Sequence, residues 1–100
     1  MTVIHNTTNH QFEIHFSDAK ALLQYRIRDG IMYFMHTEVP DGKEGQGVAS
    51  RLAEFSLNYA KKNNHTIVVY CPFVKAYLKK HHEYVALIEE SKQDKSQFLT

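Results

Sequence analysis

The chain has 100 residues, 43% of them hydrophobic and 23% charged, with a formal net charge of +1. This is the make-up of one folded domain with a modest core, and so small a charge argues against a nucleic acid or an acidic membrane surface as partner. The single cysteine, Cys71, excludes an internal disulfide and suits a reducing compartment, most simply the cytoplasm; the N-terminus lacks the pattern of a signal peptide, and no stretch nears the roughly 20 apolar residues of a membrane helix.

Residues 10 to 16 alternate polar and apolar, with Phe12, Ile14 and Phe16 on one face, which predicts a half-buried strand. Ser17-Asp18 suits a turn. A second strand is predicted over about 20 to 28, with Leu22 and Leu23 off a strict period. Asp29-Gly30 is a two-residue hairpin signal that joins it to a third strand over about 31 to 39. Residues 40 to 47 hold Pro40, Gly42, Gly45 and Gly47 and read as a loop.

From about 47 to 62 the pattern turns helical. Val48, Leu52, Phe55 and Tyr59 form one ridge, and Ala49, Ala53, Ser56 and Ala60 a second, smaller one, which together make a wide buried stripe. Leu57 falls toward the polar side and reads as exposed. Asn63-Asn64 end the helix. Residues 65 to 71 are nearly continuous in Thr, Ile, Val and Tyr, the mark of a strand covered on both faces and hence parallel to a neighbour. Pro72 opens a new helix over about 73 to 81. A further helical piece is expected from 83 to about 91, and a frayed polar tail from 91 to 100.

The predicted order β-β-β-α-β-α is an α/β arrangement of the α+β kind. It is one domain over residues 1–100, with a mixed sheet of an antiparallel meander and one right-handed, parallel βαβ crossover. Val39 and Cys71 would end at the same sheet edge as the glycine loop, the edge at which open α/β sheets bind ligands.

Glu44-Gly45-Gln46-Gly47-Val48-Ala49 follows a strand and opens a helix. The first helical turn offers unpaired N–H groups and partial positive charge, both suited to a phosphate or pyrophosphate. Gly45 and Gly47 permit close backbone approach. No Lys-Ser or Lys-Thr pair follows the last glycine, which argues against a nucleotide P-loop. The residues alone leave two readings open, a phosphate cradle or a glycine-rich turn.

The run Gly45-Gln46-Gly47-Val48-Ala49-Ser50-Arg51-Leu52 resembles the acetyl-coenzyme A motif of the Gcn5-related N-acetyltransferase superfamily, Gln/Arg-x-x-Gly-x-Gly/Ala, which falls here on Glu44, Gly47 and Ala49. Position 44 departs from the motif, and a carboxylate beside a pyrophosphate is unfavourable unless it turns away. Cys71-Pro72-Phe73-Val74-Lys75-Ala76-Tyr77 with His81-His82-Glu83-Tyr84 is similar to the very small subfamily marked by a glycine and a cysteine. The resemblance implies a truncated acetyltransferase fold that binds coenzyme A and acetyl-coenzyme A. Pyrophosphate would lie on the backbone of Gly45, Gln46, Gly47, Val48 and Ala49, with Glu44 and Ser50 also among the cofactor-binding residues, and the pantetheine arm would pass between the third and fourth strands, pairing with backbone near Glu38 and Val39. It also implies that Cys71 lies near the acetyl group, as the candidate for an acetyl-cysteine intermediate, and that Tyr77 protonates the departing thiolate. No acceptor pocket is implied, which points to a macromolecular amine such as a protein lysine.

Cys71 has its own chemical logic. It precedes Pro72 and so would cap a helix N-terminus, a setting that favours the thiolate, the form that attacks a thioester. The bland alternative is a small buried hydrophobe. His36 and Glu38, two apart on one strand face, are candidates to deprotonate an amine or are simply a solvated face. Seven histidines are present, but none has zinc-ligand spacing and no metal site is expected. The leading expectation is an N-acetyltransferase using acetyl-coenzyme A. Its rivals are a coenzyme A-binding sensor without turnover and a small interaction domain. The sequence does not fix the oligomeric state.

Overall fold

The computed structural model describes residues 1–100. Its strands are β1 (Ile4–Asn6), β2 (Gln11–His15), β3 (Lys20–Arg28), β4 (Ile31–Glu38) and β5 (Thr66–Val69), and its helices are α1 (Val48–Lys62) and α2 (Pro72–Lys80). They form one five-stranded sheet in the order β1-β2-β3-β4-β5, antiparallel except for the β4–β5 pair, which is parallel. The expected antiparallel meander and parallel β4–β5 pairing are both present. No helix is long and apolar enough to cross a membrane.

Local chemistry explains the joints. Asp29 and Gly30 both take positive φ, 53° and 77°, as a tight hairpin of the β3–β4 type demands. Gly47 caps α1 in the left-handed region. Cys71 caps α2 and Pro72 opens it, where a missing N–H costs nothing.

Alternation puts Phe12, Ile14, Leu23, Tyr25, Met32, Phe34, Ile67 and Val69 on one sheet face, packed under α1 and α2. The opposite face carries no helix. β4 changes sides part-way along. Tyr25 pairs with Phe34 but Gln24 pairs with His36, so Met35 is an extra, bulged residue. Before the bulge Met32 and Phe34 face the helices. After it Thr37 and Val39 do, and His36 and Glu38 face solvent. A one-residue slip of this kind flips every side chain beyond it.

Four expectations need correction. A fifth strand, β1, precedes the meander; three residues are too few to show a period. It is held by His5, whose ring stacks on Phe12 at 4.3 Å and whose Nε2 meets the Tyr25 hydroxyl at 2.5 Å. Leu57 is fully buried; α1 packs against α2 as well as the sheet, so its covered face is wider than one stripe. The piece after α2 is a 3-10 helix, His82–Leu87. The tail is packed rather than frayed: Lys95–Phe98 forms another 3-10 turn and Phe98 is wholly buried against the core.

The chain between these turns seals the outer edge of β5. Ile88 bridges Ile67 in parallel, and the Glu89 amide donates to the Ile67 carbonyl at 2.8 Å. The Gln93 side chain then accepts from the Val69 amide and donates to the Val69 carbonyl, both at 2.8 Å.

Candidate functional site

β4 and β5 run in the same direction and part company at their C-terminal ends. Their register stops at Phe34↔Val69, and the amides of Tyr70 and Cys71 both close onto the Phe34 carbonyl, at 2.9 and 3.1 Å. Beyond that point β4 remains paired with β3 through Glu38 but has no partner on the β5 side. A gap therefore opens beside residues 35 to 38, and the N-termini of α1 and α2 both begin at this edge.

A cleft of about 280 Å³ lies there. One wall is the glycine loop and the first turn of α1: Lys43, Glu44, Gly45, Gly47, Val48, Ala49 and Ser50. The other is apolar, from Val39 after β4 and Phe73 in the first turn of α2. Gly45 and Gly47 have φ of 78° and 79°, and a Cβ added to either would meet nothing within 4 Å. The space in front of them is open, and any side chain there would enter it.

From residue 45 to residue 50 no backbone amide donates to a protein acceptor; the first bonded amide in the helix is that of Arg51, to the Gly47 carbonyl at 3.0 Å. Such a run of donors at a helix N-terminus makes an anion cradle. Glu44 does not oppose it directly. Its Oε2 accepts from the Gly42 amide at 3.1 Å, so the carboxylate is tied to its own loop. Gln46 also braces the loop, its Nε2 donating to the Gly42 carbonyl at 3.2 Å, and it does not line the cleft. Lys43 brings a cation to the wall, with its Nζ over the Phe16 ring at 4.9 Å.

Cys71, the cap of α2, does not line the cleft; it is 1% exposed, with Sγ 3.2 Å from the Thr37 hydroxyl. Of the residues expected at the cofactor, Val39, Glu44, Gly45, Gly47, Val48, Ala49 and Ser50 line the cleft, Gln46 and Cys71 do not, and Glu38 stands at the end of β4. There Glu38 is exposed and paired with His36, Oε2 to Nε2 at 2.8 Å. Tyr77 stands apart. Its ring stacks on His81 at 4.0 Å with Tyr84 beyond, and it does not line the cleft. Burial pushes its hydroxyl pKa up, with further upward pressure from Tyr84, Glu54 and Glu83.

Lys43, Phe73 and Thr37 were not singled out from the sequence. Lys43 was the most visible of them, lying within the loop itself. Thr37 reaches Cys71 only because of the bulge at Met35, which no local pattern reveals.

Comparison with known proteins agrees with this arrangement. Residues 11–87 match the family described as GCN5-related N-acetyl-transferase. Protein NATD1 of Mus musculus is 29% identical over 80 residues, covering 77% of this chain and 73% of that protein. NATD1 of Homo sapiens is 29% identical over 80 residues, covering 77% and 71%. The NMR solution structure of a GCN5-like protein from Staphylococcus aureus superposes with a TM-score of 0.68 at 29% identity, over 87% of this chain and 86% of that one. With more than half its length matched and a neighbour of the same fold, the chain belongs to the GCN5-related N-acetyltransferase family.

Proposed function

We propose that this protein is an acetyl-coenzyme A-dependent N-acetyltransferase acting on an amine in a reducing compartment such as the cytoplasm. The observation that carries this reading is the row of unpartnered amides at residues 45–50 along the cleft. Oxygens of a pyrophosphate are the acceptors such a row suits. In this reading the main chain of Gly45, Gln46, Gly47, Val48, Ala49 and Ser50 holds the pyrophosphate and Lys43 adds positive charge. The open β4 edge by Glu38 and Val39, with Phe73 opposite, guides the pantetheine arm. The division of labour between glycine loop and cysteine fits the small subfamily marked by those two residues.

When bound, acetyl-coenzyme A supplies an activated thioester: the acceptor nitrogen gains the acetyl carbon, the C–S bond breaks, and the thiolate takes up the proton that the nitrogen sheds. His36, oriented by Glu38, faces solvent where it can first take a proton from the incoming ammonium. Tyr77 is the candidate to protonate the thiolate, from a ring stacked on His81 outside the cleft lining.

Thermal unfolding with and without acetyl-coenzyme A, with adenosine triphosphate as control, tests the reading. At about 100 times the dissociation constant the ligand adds roughly 2.7 kcal/mol, a rise of order 10 °C for a domain of this size. Gly47→Val should abolish the rise, and in ligand-free protein should cost about 1–2 kcal/mol for a side chain forced into the left-handed region. No rise in the wild type would favour the interaction-domain reading. A rise without transfer to any amine would favour a coenzyme A-binding sensor.

Cys71 belongs beside the acetyl group. A relay through acetyl-Cys71 requires the thiol to leave its buried place against Thr37, so direct transfer to the amine is the route this geometry favours. Cys71→Ala should then keep transfer within about tenfold of wild type, and acid-quenched turnover should show no acetyl group on Cys71 by mass spectrometry. An acetylated Cys71 that forms and decays at the turnover rate would establish the relay instead.

A further inference from the structure

A second pocket, of about 160 Å³, opens on the sheet face that carries no helix. Its polar walls are Asn9, His10, Gln24, Arg26 and His36, with the bulged Met35 between the strands, and no carboxylate lines it. Arg26 decides its character. Of the three arginines, Arg28 faces Asp29 and Arg51 pairs with Glu54, whereas Arg26 has no carboxylate partner. A guanidinium is permanently charged and presents a fork of donors suited to a carboxylate or phosphate. His10 is fixed over the pocket by its own carbonyl, which accepts the Tyr25 amide at 3.0 Å. It holds φ at 53°, a conformation costly for a side-chain-bearing residue.

The pocket shares β4 with the proposed transfer site. His36 lines it and holds Glu38 at 2.8 Å. The next residue, Thr37, touches Cys71 on the opposite face. Between the faces lies the gap along residues 35 to 38, where β4 has no partner on the β5 side.

We infer that this pocket seats the acceptor, and that the acceptor is a small primary amine bearing an anionic group, a carboxylate or a phosphate, held by Arg26. This rests on the acetyltransferase reading above and narrows it: a volume near 160 Å³ holds a molecule of amino-acid size, in place of the protein lysine expected from the sequence. The anion lies on Arg26, and the ammonium lies toward His36, whose Nδ1 carries the lone pair when Nε2–H is donated to Glu38.

The test pairs amines that differ only in the anion: phosphoethanolamine against ethanolamine, and free glycine against glycinamide. In wild-type protein an anionic member should shift the ring signals of His10 and His36 in an NMR titration, and its neutral partner should not. Whether the phosphate or the carboxylate amine does so identifies the anion. Arg26→Gln, a change at an exposed side chain, should weaken that binding and raise KM for the anionic amine about tenfold or more, with kcat and the acetyl-coenzyme A thermal shift little changed. Equal behaviour of anionic and neutral amines, or no effect of Arg26→Gln on binding and KM, overturns the inference. If acetyl-coenzyme A gives no thermal shift while the anionic amines still bind at Arg26, the anion pocket stands and the transferase reading falls. If acetyl-coenzyme A binds and no anionic amine does, the acceptor inference alone fails.

Discussion

Phe98→Ala is expected to cost about 3–5 kcal/mol, the usual penalty for emptying a fully buried aromatic site. Phe98 has no exposed surface and joins the core cluster beside α2 and the 3-10 helix that follows it. A domain of this size has only about 5–15 kcal/mol in total, so two residues from the C-terminus this one side chain decides whether the protein is robust or marginal. Urea unfolding measures it directly, with Leu99→Ala as control, since Leu99 is 48% exposed and should change stability by about 0.5 kcal/mol or less. A Phe98→Ala loss no larger than the control's would mean that the tail contributes nothing to the core.

Acid should weaken the fold through Glu13. This carboxylate lies on the helix-free sheet face yet is 3% exposed. Burial alone would raise its pKa, but His15 at 2.7 Å, Gln11 at 2.5 Å, Asn6 at 2.9 Å and the Lys20 ammonium at 3.4 Å outweigh it and bring it to about 2, from an ordinary 4.5. Because the folded pKa is the lower one, the stabilisation is complete above about pH 4.5 and is lost as pH falls toward 2. It amounts to about 3 kcal/mol. Urea midpoints followed from neutral pH to pH 2 should fall steeply in that window for the wild type and clearly less for Glu13→Gln. The variant should be less stable at neutral pH, where four donors lose their charged acceptor. An unchanged acid limb in Glu13→Gln would assign acid sensitivity to other groups. Acetyl-coenzyme A binding should be unaffected, since Glu13 does not line the cleft.

The parts of the fold legible in the sequence are those fixed by local periodicity. The hairpin at Asp29 and Gly30, the strand at Thr66–Val69 and the helix opened by Pro72 each rest on nearby residues, and their positions agree with the structure to within a few residues. The glycine loop was legible too, because helix-capping chemistry is local. What stayed hidden depends on contacts distant in sequence. Leu57 is buried although the pattern of α1 alone sets it on the polar side. Phe98 is drawn in by a core that a polar tail does not announce. Thr37 meets Cys71 across 34 positions, and only a bulge turns it that way. Arg26, His10 and His36 come from three separate segments, and their shared pocket has no linear signature.

The Gln93 clamp bears on how the molecule keeps its own company. Sheets tend to recruit further strands at unprotected edges, the first step of domain swapping and fibril growth. At β5 that step is blocked: one side-chain amide occupies both hydrogen-bonding groups of Val69, and Ile88 and Glu89 cover Ile67. The other edge of the sheet is β1, only three residues long, too short a template to hold an incoming chain firmly. Gln93 thus stands in for a missing sixth strand, which leaves the sheet without a long edge on which copies of the protein can polymerise.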